Sequence, residues 1–128
     1  MVKKIIWADN NQTFRESMIG QYSTLDRFCK RAGIEVELDG ASNGKELVEK
    51  VLGADYDLVF TDNVMPEVHG LQAIQQIRAQ NKSVPIYMIS SSEVGEQALK
   101  LGATGYLDKK DYGAFKSAVE KAIAIHLK

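Results

Sequence analysis

Several polar residues directly follow short apolar segments, which is where the strands of a buried sheet end. Asp9 and Asn10 follow the first such segment, Asp62 follows the third, Ser90 the fourth and Lys109 the fifth. The carboxyl ends of parallel strands lie at one edge of a sheet, and ligands bind there in open α/β sheets. We therefore expect these acids, the amide, the hydroxyl and the cation to form one site.

These residue types suit the transfer of a phosphoryl group to a carboxylate. Mg²⁺ takes about six oxygen ligands, commonly from carboxylates, waters and phosphate oxygens. Side-chain oxygens of Asp9, Asn10 and Asp62 and the backbone carbonyl of Val64 are candidate ligands. Negative charge spreads over the oxygens of a phosphoryl group in transfer, so catalysis needs in-line positioning and nearby positive charge. A lysine and a serine at neighbouring strand ends are placed to help.

Short apolar segments alternate with helical patterns, which indicates a parallel sheet with helices on both faces. The predicted strands are Lys4–Ala8, Glu35–Leu38, Asp57–Thr61, Pro85–Ser90 and Gly105–Leu107. The predicted helices are Asn11–Gly33, Gly44–Leu52, Leu71–Gln80, Glu93–Leu101 and Tyr112–Leu127. Gly20 weakens the middle of the long first helix, whose apolar stripe is expected to include Tyr22. With 128 residues, 45% of them hydrophobic, we expect one domain over residues 1–128.

Charge and composition narrow the partners and the location. The 16 basic and 17 acidic residues nearly balance, so nothing favours nucleic acid or an anionic membrane as the main partner. A protein partner is expected instead. The sequence shows neither a signal peptide pattern nor an apolar run near the ~20 residues of a membrane span, so we expect a cytoplasmic protein. The single Cys29 is expected to pack in the core, and the isolated His69 and His126 do not indicate a zinc site.

The chain resembles the receiver domain of two-component response regulators over its whole length. The segments ADN, TDNVMPEVHG, MISSS and GYLDK have the family's order and spacing. The resemblance implies a flavodoxin-like fold with strand order 2-1-3-4-5, and Asp62 as acceptor of a phosphoryl group from a histidine kinase or phosphotransfer protein. It also implies that Lys109 contacts the phosphoryl group, and that Ser90 and Tyr106 form the switch pair. A downstream protein would bind the face of the fourth helix, fifth strand and fifth helix.

Two residues depart from the family pattern. The family has a second acid where this chain has Asn10, and a neutral amide attracts a divalent cation less strongly. We therefore predict weak Mg²⁺ binding, with Mn²⁺ as an alternative ion. Lys110 replaces the family's proline after the lysine, and a non-proline cis bond costs about 2.5–4 kcal/mol, so the Lys109–Lys110 bond is predicted to be trans. The first helix with its following turn is also about two turns longer than is usual in the family, and this extension is expected to project away from the site.

Three functions remain open at this point. The first is a phosphoacceptor switch whose only chemistry is directed at itself, so it is not an enzyme for external substrates. The second is a receiver-like interaction module that works without phosphorylation, for which Asn10 and Lys110 are the reason. The third is an aspartyl-phosphate phosphatase, which is disfavoured because Val64 occupies the place of the second acid of its DxD pattern.

Simpler roles also remain open for individual residues. Asp62 would then cap a turn, Asp9 would be the N-cap of the first helix, Lys109 would be a solvated side chain and Tyr106 would only pack.

Overall fold

Strands and helices alternate along this computed structural model, which describes residues 1–80 and 82–128. The strands in that part of the chain are β1 (Lys3–Ala8), β2 (Val36–Ala41), β3 (Leu58–Asp62), β4 (Ile86–Ile89) and β5 (Gly105–Leu107). The helices are α1 (Gln12–Ile19), α2 (Thr24–Ala32), α3 (Gly44–Gly53), α4 (Gly70–Ala79), α5 (Ser92–Lys100) and α6 (Tyr112–Leu127).

The strands form one parallel sheet in the order β2-β1-β3-β4-β5. This confirms the predicted doubly wound fold and strand order. β3 lies in the middle between β1 and β4, and Leu58–Thr61 are buried, as expected of a strand covered on both faces. The bounds shift by a few residues, most at β2, which runs to Ala41 because its pairing with β1 continues to the Ala8–Ala41 pair.

Each face of the sheet carries its own apolar core because neighbouring strand residues point to opposite faces. Ile6 and Val59 face the core shared with α3, α4 and α5. Trp7 and Phe60 face the core shared with α1, α2 and α6, where Phe115 is also buried. Truncating a fully buried aromatic of this size typically costs about 3–5 kcal/mol of unfolding free energy, so these cores fix the positions of the strand ends.

The prediction of one helix from Asn11 to Gly33 was wrong, because two helices occupy that segment. Gly20 ends α1 in an extended conformation, and a Cβ on Gly20 would lie 2.7 Å from the carbonyl oxygen of Glu16. Tyr22 then takes a left-handed φ of 60°. Its side chain is 70% exposed, so it does not belong to the predicted apolar stripe.

The second helix has its own end signals. The Ser23 side chain accepts a hydrogen bond from the backbone N–H of Asp26, which makes Ser23 the N-cap of α2. Gly33 ends α2 with a left-handed φ of 72°, as predicted for the end of this segment. Cys29 is buried as a free thiol. No helix within the described residues is long and apolar enough to cross a membrane.

Candidate functional site

Asp62 is the last residue of β3, beside Ile89 of β4 in the sheet register. Its side chain is 24% exposed, and its Oδ1 accepts a hydrogen bond of 2.9 Å from the backbone N–H of Asn63. Burial raises the pKa of Asp62, the positive charge of Lys109 lowers it, and the negative charge of Asp9 raises it again. The net effect is a raised pKa, so the ionised carboxylate is under-solvated and gains from a nearby cation.

Asp9 follows β1 and is 1% exposed. Its Oδ1 accepts a hydrogen bond of 2.9 Å from the backbone N–H of Asn11. Asn11 is the N-cap of α1, since its side chain accepts a hydrogen bond from the backbone N–H of Phe14. The simpler role of Asp9 as the N-cap of the first helix was therefore wrong. A buried carboxylate beside Asp62 is left available for a cation.

The other two candidate metal ligands are more open to solvent. Asn10 is exposed, and the side chain of Val64 is 68% exposed in the loop after β3. Within the part of the chain that the structure describes, no three His, Cys, Asp or Glu residues group as metal ligands. A cation here would meet the carboxylates of Asp9 and Asp62 together with neutral oxygens. That donor set fits a hard divalent ion, and the mutual repulsion of the two acids gives a cation a reason to bind.

Lys109 lies beside the carboxylate of Asp62. Its Nζ is 4.0 Å from Oδ2 of Asp62 and 4.4 Å from the centroid of the Phe14 ring. The side chain is 42% exposed, so the ion pair with Asp62 contributes little to stability. The described residues contain no cis peptide bond, which confirms the trans prediction for the bond to Lys110.

The two residues of the predicted switch pair lie on the neighbouring strands. Ser90 follows β4; its backbone N–H donates to the carbonyl of Leu107 and its hydroxyl donates to the carbonyl of Ser91, each over 2.9 Å. Tyr106 is half-buried in β5 and packs against the core under α5. Its hydroxyl donates to Oε1 of Glu96 over 3.4 Å. Both hydroxyls are thus engaged outside the group formed by Asp9, Asp62 and Lys109.

The loop after β3 is tied to α4 by two residues that the sequence analysis did not single out. The carbonyl of Asn63 accepts a hydrogen bond of 2.8 Å from the N–H of Gly70, and its Oδ1 accepts one of 3.2 Å from the N–H of Leu71. Gly70 packs directly against the carbonyl oxygen of Asp62. A glycine just before the predicted helix at Leu71 was the available signal for this close approach.

Two residues of α1 also reach the site without having been predicted to do so. Phe14 of α1 lies beneath the ammonium group of Lys109. The guanidinium of Arg15 donates a hydrogen bond to the backbone carbonyl of Asp9. The signal for both was their position one helical turn after the acidic segment, but that position does not show which way the side chains point.

The sheet order and the strand-end acids define a flavodoxin-like α/β protein with its site at the carboxyl edge. The model of the response regulator receiver domain family matches residues 5–120, and the chain belongs to this family of signalling domains. Among curated relatives, the transcriptional regulatory protein ZraR of Escherichia coli is 35% identical over 110 residues, which are 83% of this chain and 24% of ZraR. The chain therefore spans about a quarter of the length of that relative.

Solved structures share the fold. One is the receiver domain of Ssk1 from Saccharomyces cerevisiae in complex with the histidine phosphotransfer protein Ypd1, at 23% identity and a TM-score of 0.74, covering 98% of this chain and 88% of that chain. Another is a CheX–CheY complex with BeF₃ and Mg²⁺ from Borrelia burgdorferi, at 19% identity and a TM-score of 0.74, covering 96% of this chain and 88% of that chain. At these identities the likeness shows the fold.

Proposed function

We propose that this chain accepts a phosphoryl group on Asp62 from a histidine kinase or a phosphotransfer protein and passes the signal on by protein contact. The observation that carries the proposal is the partly buried Asp62 carboxylate, 4.0 Å from the ammonium group of Lys109 and beside the buried Asp9. Membership of the receiver family and the similarity to a receiver solved with a phosphotransfer protein support the proposed donor.

The proposed transfer forms a bond between a carboxylate oxygen of Asp62 and phosphorus. The phosphorus–nitrogen bond of the donor phosphohistidine breaks, and its electron pair stays on the imidazole nitrogen. The carboxylate charge of Asp62 is replaced by about two negative charges on the phosphoryl oxygens, beside Asp9, and Lys109 supplies positive charge that stabilises them. The chain contributes position and charge, and hydrolysis of the resulting acyl phosphate is its only further reaction.

Asp9, Asp62, Asn10 and the backbone carbonyl of Val64 are the residues proposed to hold Mg²⁺. When bound, the ion neutralises charge on the phosphoryl oxygens. Asn10 supplies a neutral oxygen, so we propose that Mg²⁺ binds weakly and that Mn²⁺ is able to replace it. The CheY of Borrelia burgdorferi, which has the same fold, was solved with BeF₃ and Mg²⁺, and this supports the proposed ion.

For the output, we propose that Ser90 turns its hydroxyl from the carbonyl of Ser91 to the phosphoryl group and that Tyr106 moves with it. The downstream protein would bind the face formed by α5, β5 and α6, which correspond to the predicted fourth helix, fifth strand and fifth helix. Residues 1–128 are proposed to act as one receiver domain in the cytoplasm. The near balance of charge supports a protein rather than nucleic acid or membrane as the main partner.

A second candidate is an interaction module that works without phosphorylation. The exposed Asn10 and the lack of a third acid at the site, among the residues that the structure describes, favour this alternative. In that case the chain would bind its partner with Asp62 unmodified, and substitution of Asp62 by asparagine would leave binding unchanged.

Incubation with acetyl phosphate and Mg²⁺, followed by intact mass measurement, separates the two candidates. The phosphoacceptor proposal predicts a gain of one phosphoryl group that requires the metal and is absent in Asp62→Asn. Asp55→Asn is a matched control, because Asp55 is an exposed acid that pairs with Lys82 away from the site. Unchanged mass of the wild-type protein, over a range of Mg²⁺ and Mn²⁺ concentrations, would favour the interaction module.

A further inference from the structure

The ammonium group of Lys109 has two neighbours, and only one of them is a carboxylate. Its Nζ is 4.0 Å from Oδ2 of Asp62 and 4.4 Å from the centroid of the Phe14 ring. A cation within about 6 Å of a ring centroid is attracted by the negative face of the ring. The position of Lys109 is therefore set by α1 as well as by the acceptor carboxylate.

The Phe14 ring is itself held in place by the core. Its centroid lies 6.2 Å from the centroids of both Trp7 and Phe115, and these two side chains are 0% and 1% exposed. The backbone of Phe14 is anchored as well, because its N–H donates to the side chain of Asn11 at the start of α1. The ring is thus a fixed surface, and the flexible lysine adapts to it.

The segment that carries Lys109 offers less restraint. Asp108–Gly113 are exposed, and the side chain of Lys109 itself is 42% exposed. At this turn the backbone N–H of Lys110 donates a hydrogen bond to the side-chain Oδ1 of Asp108, which restrains the turn but not the lysine side chain. A four-carbon stem leaving such a turn has many rotamers, and most of them point into solvent.

We propose that Phe14 is the positioning residue for Lys109: its ring holds the ammonium group beside Asp62, ready to meet the incoming phosphoryl group. This inference rests on the proposed function and adds to it the residue that prepares the lysine. Cation–π contacts at partly exposed sites change the population of such an arrangement by a factor of roughly two to five. Loss of the ring should slow phosphorylation of Asp62 by a similar factor.

The test compares Phe14→Leu, which keeps apolar volume but removes the ring face, with Phe14→Tyr, which keeps the ring. Phe28→Leu is the matched control, because Phe28 packs on the same core from α2. We expect phosphorylation by acetyl phosphate to slow roughly two- to fivefold in Phe14→Leu and to stay near the wild-type rate in Phe14→Tyr and Phe28→Leu. An equal loss of rate in both leucine variants would assign the effect to core packing and overturn the proposal.

A second comparison asks whether Phe14 acts through the lysine. Lys109→Met removes the charge, and Phe14→Leu should then cause no further loss of rate in the double variant. The same fractional loss with and without the Lys109 ammonium would show that Phe14 acts by another route, and the proposal would fall.

An NMR readout keeps this inference separate from the proposed function. Protons over a ring face resonate upfield, so the ε-methylene protons of Lys109 should move downfield in Phe14→Leu and not in Phe28→Leu, in the unphosphorylated protein. If the wild-type protein takes up no phosphoryl group, the phosphoacceptor proposal fails, while this shift still decides whether Phe14 holds the lysine. Unmoved Lys109 resonances in Phe14→Leu would contradict the inference directly.

Discussion

Replacing Gly70 with alanine places a methyl group against the backbone of Asp62. The new Cβ would overlap the carbonyl oxygen of Asp62 and would lie 3.0 Å from both Asn63 Cα and Met88 Cε. Two of these three neighbours, the oxygen of Asp62 and the Cα of Asn63, are backbone atoms at and just after the end of β3. Unlike the end of a flexible side chain, they cannot rotate away. We therefore expect the start of α4 and the Asp62 segment to be pushed apart.

The size of the effect follows from two opposing terms. Alanine at an unstrained helical glycine stabilises a protein by about 0.4–1 kcal/mol, whereas overpacking costs about 1–3 kcal/mol. The second term should win for Gly70→Ala, with a net loss of about 1–2 kcal/mol. Gly53→Ala is the matched control: Gly53 also lies in a helix, and its Cβ would meet nothing within 4 Å. Gly53→Ala should therefore raise the free energy of unfolding by about 0.4–1 kcal/mol.

Urea unfolding of the two variants and the wild-type protein at pH 7 provides the measurement. The variants should fall on opposite sides of the wild-type free energy of unfolding, and Gly70→Ala should also take up phosphoryl groups more slowly because Asp62 has shifted. Equal or greater stability of Gly70→Ala, with an unchanged phosphorylation rate, would refute the close contact between Gly70 and the end of β3.

Three further substitutions give separate tests. Burial raises the pKa of Asp62 in the folded protein. The contribution of this residue to the free energy of unfolding is therefore favourable at low pH and is lost as the pH rises through the folded-state pKa. Thermal melts should therefore show Asp62→Asn more stable than wild type at pH 7, with the gain shrinking towards about pH 4, and a destabilised variant at pH 7 would contradict this. Asn10→Asp should tighten Mg²⁺ binding by about 1–3 kcal/mol in calorimetry, whereas equal affinities would show that the amide costs nothing. Gly95→Ala would bring its Cβ to 2.6 Å from Cδ2 of Tyr106, so the NMR resonances of that ring should shift and stability should fall by about 1–3 kcal/mol; unmoved resonances would refute this packing.

The sheet could be predicted because the same sequence pattern occurs at each strand. Each strand is a short apolar segment followed by a helical pattern, and the resemblance supplied the strand order that spacing alone does not give. The first helix could not be predicted in the same way. A glycine inside a helix costs only about 1 kcal/mol, so Gly20 alone does not predict a break. The break also needs the cap at Ser23 and the left-handed Tyr22, which depend on how α2 packs.

The candidate site was also predictable only in part. Asp9, Asp62 and Lys109 come together because backbone topology brings strand ends to one edge, and topology was predictable. The contacts of Phe14 and Ser90 were not, because they depend on the rotamers of half-exposed side chains. The sequence gives those side chains several alternatives of similar energy, and only the surrounding packing selects one.

Asp62 is the residue that we propose to carry the phosphoryl group. Treatment of the phosphorylated protein with borohydride converts an aspartyl phosphate to homoserine, which peptide mass mapping then locates. We predict homoserine at position 62 alone, formed only after incubation with phosphodonor and Mg²⁺. Homoserine at position 9 or elsewhere, or its absence from a protein that has gained a phosphoryl group, would contradict the proposed role of Asp62.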